Sequence, residues 1–422
     1  MKRSTTTQRP TLATTLRRAL AFLTLVAATV GTFAYDYKDG RFYYNLDPVK
    51  KEATLTHGDT KYTGALSVHS SIYYNDTRYY VTAIDDEAFK DCTGLTSVLG
   101  MNEVKTIGER AFSGCTNLTE VRLGSKLETI GFAAFSGCSS LTKVSIPENV
   151  TTIDGHAFSG CTGLTSITIP ENVTTIGGYA FTDCPSLTSI TIPDKVTTIG
   201  NYTFNDCDNL VSVKLGNGLT KIGGSAFNSC DNLVSVEFGN NLVSIGDYAF
   251  RYCRKLTSAI LPNSVTSIGR IAFNTCTSLQ RIVLPVGITT LEDYTLESCI
   301  NLTSVAIPSS VTKVGVRAFC NCQHLETLTC LAPTPPTVSD DSFLEVEISK
   351  IKLYVPAGSV EAYRAADVWK DFGSIEEIDA DKVDDPDCLR AIIRALRNGD
   401  FNEDGHVSIE DVTGIVNKVL KK

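Results

Sequence analysis

Oxygen-bearing side chains alternate through a short acidic stretch near the C-terminus of this 422-residue chain. Residues 400–411 read DFNEDGHVSIED, with a glycine at the sixth position where a tight loop must turn. The candidate ligands are the side chains of Asp400, Asn402, Asp404, Ser408 and Asp411, together with the backbone carbonyl of His406. Because Ca²⁺ is a hard cation that prefers about six to eight oxygen ligands, this spacing predicts a calcium site.

Thiols supply the second candidate chemistry. Eleven cysteines recur at one constant interval: Cys92, Cys115, Cys138, Cys161, Cys184, Cys207, Cys230, Cys253, Cys276, Cys299 and Cys322. Equal spacing places these thiols in one column, about 4.8 Å apart, with parallel side-chain directions that do not suit a disulfide. We therefore predict a buried, reduced column. The sequence leaves both redox states open for Cys320, Cys330 and Cys388, which lie outside the column.

Catalytic patterns are missing from the sequence. The five histidines stand in no metal-binding or catalytic spacing, and there is no G-x-S-x-G, H-E-x-x-H or phosphate-binding glycine loop. The sequence therefore predicts that the protein is not an enzyme. Its net charge of −9 argues against nucleic acid as a partner, since nucleic-acid surfaces attract basic proteins.

The N-terminus has the pattern of an export signal. Arg17 and Arg18 precede an apolar run over 19–34, and the small residues Thr32 and Ala34 stand before a predicted cleavage site at Tyr35. The run is too short to span a bilayer comfortably. We expect a secreted or cell-surface protein with no transmembrane segment after cleavage.

The cysteine interval is the period of a repeating unit. A leucine follows each cysteine at the third position, and aliphatic residues then alternate as in a strand. Phenylalanine stands at the third position before the cysteine, with one leucine substitution at 296: Phe89, Phe112, Phe135, Phe158, Phe181, Phe204, Phe227, Phe250, Phe273 and Phe319. Glycines such as Gly177 and Gly200 are expected to turn the chain. One unit cannot bury its apolar groups alone, so we predict a mainly β solenoid.

These units resemble a known repeat family. The A-F-x-x-C-x-x-L core with its S-[VI]-x-[IL]-P strand, as in AFSGCTGLTSITIP at 157–170, is similar to the BspA-like leucine-rich repeats of surface proteins from anaerobic bacteria. The resemblance covers about 81–330, and a capping segment at 352–372 extends it to about 378. It implies an extracellular adhesin or recognition scaffold, without a specific ligand.

Both ends of the array are expected to be capped. The aromatic-rich residues 35–80 predict strands and hairpins over the first turn. At the other end, residues 359–369 predict a helix with Ser359 as its N-cap, and Trp369 is interpreted as a residue that packs the cap.

The calcium loop and the helix predicted after it, GDFNEDGHVSIEDVTGIVNKVL at 399–420, resemble one half of a dockerin module. The loop has the EF-hand layout with aspartate at its last position, a feature that dockerins share. The upstream half lacks this ligand order, although a helix is predicted at 388–397 (CLRAIIRALR). The resemblance implies a small α-helical calcium-binding module and a cohesin-type partner. Ile409 and Glu410 differ from the common Ser-Thr pair, so no partner specificity carries over.

Two repeated surfaces are candidate binding sites. Strand residues at the fifth and seventh positions after each cysteine, such as Ser189 and Thr191, should form a polar face that either binds a ligand or is simply solvated. At the fifth position before the cysteine stand the rings that we call the aromatic column: His156, Tyr179, Tyr202, Tyr248 and Tyr294. These rings either shield the turn edge or stack on a sugar or partner.

The predicted organisation has five parts: a signal peptide at 1–34, an N-terminal cap at 35–80, the solenoid at 81–330, a C-terminal cap at 331–378 and the dockerin-like module at 379–422. The favoured function is adhesion, in which the solenoid recognises an extracellular protein or glycan and the tail docks in a calcium-dependent way. The alternative is a non-catalytic component of an extracellular carbohydrate-processing complex, with the repeats as a spacer.

Overall fold

The computed structural model describes residues 35–378. The predicted signal peptide and the predicted calcium-binding module lie outside the described residues. The described part is a mainly β solenoid of about 13 turns, in agreement with the repeat pattern.

Each complete turn contributes one longer and one very short strand. The longer strands are β7 (Leu95–Met101), β9 (Glu120–Leu123), β11 (Lys143–Ser145), β13 (Ser166–Thr168), β15 (Ser189–Ile192), β17 (Ser212–Leu215), β19 (Ser235–Glu237), β21 (Ser258–Ile260), β23 (Arg281–Val283), β25 (Ser304–Ile307), β27 (Thr327–Cys330), β29 (Lys352–Val355) and β30 (Ser374–Glu377). The two-residue strands are β8 (Thr106–Ile107), β10 (Thr129–Ile130), β12 (Thr152–Ile153), β14 (Thr175–Ile176), β16 (Thr198–Ile199), β18 (Lys221–Ile222), β20 (Ser244–Ile245), β22 (Ser267–Ile268), β24 (Thr290–Leu291), β26 (Lys313–Val314) and β28 (Thr337–Val338).

Both sets of strands form parallel ladders between successive turns. Ser189 pairs with Ser212, and Ser212 pairs with Ser235, so equivalent residues stand directly above one another. The longer strands divide into four sheets: β4-β7-β9, β11-β13, β15-β17-β19 and β21-β23-β25-β27-β29-β30. The first sheet begins with β4 (Gly64–Ser67), which belongs to the N-terminal region. Because of this register, residues of the same type stand above one another along the whole array.

The N-terminal region closes the first turn with strands and hairpins, as predicted. Strands β1 (Tyr37–Asp39), β2 (Phe42–Asp47) and β3 (Glu52–Thr56) are antiparallel neighbours, and β5 (Ser71–Tyr74) pairs with β6 (Thr77–Ile84) as a hairpin. The buried ring of Tyr62 lies 4.8 Å from that of Phe89, between ring centroids. Tyr62 therefore covers the first member of the phenylalanine stack.

The core is a stack of identical side chains. Phenylalanine rings from Phe89 to Phe273 lie 4.7 to 5.4 Å apart and within 10° of parallel. The matching leucines and cysteines are buried beside them. Parallel strands about 4.8 Å apart impose this face-to-face packing, because each ring can move only slightly from its neighbour's position.

The predicted role of the repeat glycines needs correction. Gly177, Gly200, Gly223, Gly246 and Gly269 do not have positive φ angles. Instead, a Cβ atom at Gly177 would approach the backbone nitrogen of Gly155 to 2.3 Å. Glycine is needed here because adjacent turns come into backbone contact, which is a steric constraint between turns rather than a turn requirement within one.

The ladder continues past residue 330 into the segment predicted as a cap. Strand β27 pairs with β29 and β29 with β30, while the ring of Phe343 stacks on that of Phe319 at 5.2 Å. The step from Phe319 to Phe343 is one position longer than the constant interval, and Val346 stands where a cysteine would be expected. Because of this inserted residue and the missing cysteine, the turn is not found when the sequence is searched at the constant interval.

The C-terminal helix is shorter than predicted. Helix α1 spans Val360–Ala365, and Trp369 lies in a separate 3-10 turn, Trp369–Asp371. Another 3-10 turn covers Ile348–Lys350. The Ser359 side chain makes no capping hydrogen bond. Trp369 is buried and its indole N–H donates to the carbonyl of Pro336 at 2.9 Å, as expected for a packing residue.

A Phe204→Ala substitution should lower the unfolding free energy by about 3–5 kcal/mol, because it leaves a cavity in the ring stack. Thermal denaturation followed by circular dichroism measures the change. Val211→Ala is the matched control, since Val211 is exposed and its loss should cost less than about 0.5 kcal/mol. Equal melting temperatures for the two variants would show that the phenylalanine stack does not stabilise the fold.

Candidate functional site

The aromatic column stands on a backbone position that is left-handed in each repeat from Glu87 to Arg317. The φ angles are +57° at His156, +60° at Tyr179, +57° at Tyr202 and +59° at both Tyr248 and Tyr294. Non-glycine residues pay about 1–2 kcal/mol for this conformation. The left-handed conformation directs the backbone N–H of each of these residues to the next turn. The N–H of Tyr179, for example, donates to the carbonyl of Asn201 at 2.9 Å.

The side-chain type at this position is not dictated by the fold. The same left-handed angle occurs at Glu87, Arg110, Ala133, Ser225 and Ile271. Because charged, small, aliphatic and aromatic residues all adopt it, the backbone does not require a ring. The clustering of rings in the middle turns is therefore a property of this sequence.

Three rings of the aromatic column form a continuous stack. His156 lies 4.6 Å from Tyr179, and Tyr179 lies 4.7 Å from Tyr202, with planes within 10°. Phe132 packs edge-on against His156 at 5.2 Å. Phe132, Tyr179 and Tyr202 are 36–38% exposed, and burial lowers the pKa of the His156 imidazole. The sequence missed Phe132 because it stands one position off the column.

The other two rings of the aromatic column are separated from the stack. Ser225 lies between the turns of Tyr202 and Tyr248, and Ile271 lies between those of Tyr248 and Tyr294. Thus the structure brings together three of the five predicted rings.

Tyr248 belongs to a different cluster that the sequence did not reveal. The guanidinium of Arg251 lies 5.7 Å from the Tyr248 ring and 4.2 Å from the Tyr252 ring, and it donates to the Tyr252 hydroxyl at 2.7 Å. The guanidinium of Arg254 lies 5.0 Å from the Tyr252 ring. Cation–π contacts of this kind hold both arginines over the exposed edge of the turns.

Polar side chains along the turn edges bond to neighbouring turns. Amide groups at two repeat positions, represented by Asn172 and Asn209, donate to carbonyls of the preceding turn at 2.8–2.9 Å. Threonine hydroxyls such as that of Thr165 do the same. These residues satisfy backbone acceptors of the fold itself. The candidate binding surfaces that remain are the aromatic column and the outward face of the longer strands, which we call the outer sheet.

The outer sheet is polar and open in the first half of the array. Ser166, Thr168, Ser189 and Thr191 are exposed, as are the corresponding residues of β17 and β19. Lys214 and Glu237 pair across strands at 3.4 Å. An exposed pair of this kind contributes less than about 1 kcal/mol, so this face is held by its backbone rather than by its charges.

The cysteine column is buried and free of disulfides, as predicted. The thiol of Cys207 donates to the carbonyl of Phe181 at 3.2 Å, and this bond repeats from Cys115 to Cys322. Burial raises the pKa of Cys138 and of Cys322 to about 12. Cys320 and Cys330 are also free and buried, whereas Cys388 lies outside the described residues.

Comparison with known proteins identifies the repeat. The family model described as "BspA type Leucine rich repeat region (6 copies)" matches residues 82–211, 174–269, 197–326 and 243–363. The chain belongs to the BspA-type leucine-rich repeat family. A search of curated proteins finds no match.

Solved structures of bacterial leucine-rich repeat proteins are similar to the chain. A leucine-rich repeat protein from Bacteroides ovatus is 25% identical, with a TM-score of 0.58, over 82% of this chain and 100% of its own. A leucine rich cell surface protein from Faecalibacterium prausnitzii is 26% identical, with a TM-score of 0.49, over 84% of this chain and 97% of its own.

BspA-type leucine-rich repeats are non-enzymatic scaffolds, and the family is consistent with a protein-binding role. Within residues 35–378, no helix is long and apolar enough to cross a membrane. The same residues contain no grouping of histidine, cysteine or acidic side chains that could hold a metal ion. The predicted calcium ligands, Asp400, Asn402, Asp404, His406, Ser408 and Asp411, lie outside the described residues.

The buried thiols should resist alkylation in the folded protein. In a Cys388→Ser background at pH 8, iodoacetamide should label the remaining cysteines only after unfolding, because the reactive thiolate is disfavoured by burial. Because the pKa of each buried thiol is higher in the folded chain than in the unfolded chain, the thiols stabilise the fold below about pH 8.5. The free energy of unfolding should decrease as the pH rises above that value. Mass spectrometry of native and unfolded samples checks the labelling. Native labelling of column cysteines, or masses that show disulfides, would contradict the buried thiol column.

Proposed function

We propose that this protein is an exported binding protein whose solenoid recognises a protein or a glycan on a cell surface. The observation that carries the proposal is the stack of His156, Tyr179 and Tyr202, whose rings are not required by the fold. The export pattern at 1–34 and the membership of the BspA-type family support it.

The aromatic column is suited to binding because its rings are already ordered. Stacked tyrosines offer a large amphipathic edge with few side-chain rotations left to lose on binding. Their hydroxyl edges can donate and accept hydrogen bonds. The exposed edges of Tyr179 and Tyr202 thus provide the main contact in this proposal, and Arg251 provides a positive charge beside Tyr248, two turns further along the array.

Ser225 creates a gap in the aromatic column. Tyr202 and Tyr248 stand two turns apart, about 10 Å by strand spacing, and the small side chain between them is only 6% exposed. Because its side chain is buried, Ser225 interrupts the aromatic column without opening a pocket between the two tyrosines.

The tail adds a second activity to the proposal. Residues 400–411 would bind Ca²⁺ through Asp400, Asn402, Asp404, Ser408, Asp411 and the carbonyl of His406, and the dockerin-like module would dock to a cohesin-type module or a surface assembly. The order of oxygen ligands around Gly405 supports this role.

Replacing Tyr179, Tyr202 and Tyr248 with serine should weaken binding to cell-surface extracts or to a glycan array by at least about tenfold, as expected when clustered aromatic anchors are lost. Binding is measured by surface plasmon resonance, with melting temperature as the test of folding. Tyr73→Ser with Tyr80→Ser is the control, because both rings are exposed on the N-terminal hairpin. Undiminished binding by the stable triple variant would disprove a role for the aromatic column.

A pull-down with residues 35–422 should capture a partner in calcium but not in chelator if the tail docks as proposed, and a chain ending at Ile378 should lose this capture. Asp404→Ala should abolish the calcium dependence, because it removes a ligand at loop position 5. Asp384→Ala is the control, since it lies in the upstream segment without the ligand order. Equal capture by the truncated chain, with or without calcium, would place binding on the repeats alone.

A further inference from the structure

One turn departs from the repeat at adjacent positions of a single edge. Around Cys253 stand Arg251, Tyr252 and Arg254. The position of Tyr252 has a positive φ angle in every turn from Asp91 to Asn321, and all the other turns place aspartate, glycine, serine, threonine or asparagine there. A bulky side chain is unfavourable at such an angle, so the fold does not explain a tyrosine at this position.

Two tyrosine rings hold the guanidinium of Arg251. Its central carbon lies 4.2 Å from the ring centroid of Tyr252 and 5.7 Å from that of Tyr248. Its Nη2 donates to the Tyr252 hydroxyl at 2.7 Å. Within residues 35–378, no carboxylate lies at ion-pair distance from this guanidinium, whereas the nearby Arg254 pairs with Asp231. Arg251 is therefore a positive charge that is fixed in place and has no counterion among the described residues.

The outer nitrogens of Arg251 are able to donate to a ligand. A guanidinium has five N–H donors in a planar fork. The Nε of Arg251 is buried without a partner, and Nη2 uses one N–H for the hydroxyl of Tyr252. The N–H groups of Nη1 and the second N–H of Nη2 make no hydrogen bond in the part of the chain that the structure describes. Parallel bonds from such a fork match the two oxygens of a carboxylate.

We propose that Arg251, Tyr248 and Tyr252 bind the carboxylate of an acidic sugar, a uronic or sialic acid residue of a surface glycan. The carboxylate accepts hydrogen bonds from Nη1 and Nη2 of Arg251, and the sugar ring packs on the Tyr248 ring, which is 37% exposed. In these sugars the carboxylate is attached directly to the ring, so one sugar residue reaches both contacts. This ligand class deepens the function proposed above and rests on it.

The charges around Arg251 favour a ligand with one carboxylate over a polyanion. Arg254 is already neutralised by Asp231, and the exposed Lys255 attracts anions from a distance. Asp208 lies two turns before Arg254, where burial, followed by Asp231 and other nearby carboxylates, raises its pKa. This negative side of the site repels a second anionic group. A peptide with several carboxylates meets this repulsion, whereas a single sugar carboxylate avoids it.

Titration of residues 35–422 with acidic sugars, followed by ligand-observed NMR, tests the site. The probes are the methyl glycosides of glucuronic acid and of N-acetylneuraminic acid, each as the free acid and as the methyl ester. At least one free acid should bind about tenfold or more tightly than its ester, because hydrogen bonds to charged groups contribute more than neutral ones. The preferred acid distinguishes a uronic from a sialic source. Equal affinity of acid and ester for both sugars would overturn the proposal, as would tighter binding of a glutamate-rich peptide.

Arg251→Gln should reduce the affinity for the free acid to that for the ester, because it removes the charge. Arg110→Gln is the matched control and should leave binding unchanged. Arg110 also lies over a ring, that of Phe132 at 5.7 Å, but it already forms an ion pair with Glu109 at 2.6 Å. Equal affinity of the natural chain and Arg251→Gln, at equal melting temperature, would contradict the site. The comparison of acid with ester needs no variant, so it decides the matter if Arg251→Gln does not fold.

Tyr252→Phe tests the positioning of the guanidinium. The ring remains, but the hydroxyl that accepts from Nη2 is lost. The affinity for the free acid should fall about two- to fivefold, as expected for one hydrogen bond, with the affinity for the ester unchanged. An equal loss for acid and ester would contradict a role of the hydroxyl in orienting the charge.

Failure of the acidic-sugar site is distinguishable from failure of the proposed function. The natural chain and Arg251→Gln are also tested for capture of cell-surface extracts. If both capture a partner equally and neither distinguishes acid from ester, the acidic-sugar site is wrong while surface binding stands. If the natural chain captures nothing and binds neither acid, both proposals are wrong.

Discussion

The structure depends on one constraint: every turn must repeat the previous turn in register at the spacing of parallel strands. This spacing makes phenylalanine rings stack face to face at 4.7 to 5.4 Å, and it brings the thiols from Cys115 to Cys299 to the carbonyl of a phenylalanine in the preceding turn. It also forces backbones into contact where the repeat has Gly177 and its equivalents. A side chain that packs well in one turn packs well in the equivalent position of every turn, so the same core arrangement is repeated along the array.

Positions under this constraint were predictable from the sequence. The cysteine, leucine and phenylalanine columns follow from one constant interval, because burial between identical neighbours permits little change in size. The left-handed position was not predictable, since residues as different as Arg110, Ala133 and Ile271 adopt it. The turn that contains Phe343 was missed because it has an inserted residue and lacks the column cysteine. Sequence patterns therefore report shared packing but not shared backbone conformation.

The predicted binding residues illustrate the same limit. His156, Tyr179 and Tyr202 share a column, and their stacking follows directly from the register. Phe132 and Tyr252 join neighbouring clusters from other repeat positions, so no single periodic column contains them. Only the three-dimensional placement of side chains from adjacent positions reveals the contact. A binding surface on a solenoid is thus a patch that crosses columns, although its residues first attract notice as one column.

The division of the outward face bears on where a partner can bind. The outward residues of strands β13 to β19 are exposed and polar, so this part of the face is available to a ligand, whereas Val283 and Ala306 further along are buried. Those strands belong to the same turns that carry Tyr179 and Tyr202. A large partner can therefore contact the exposed strands and the aromatic column within one stretch of the array. The repeat keeps the core constant, while unconstrained outward positions allow two different surfaces on one scaffold.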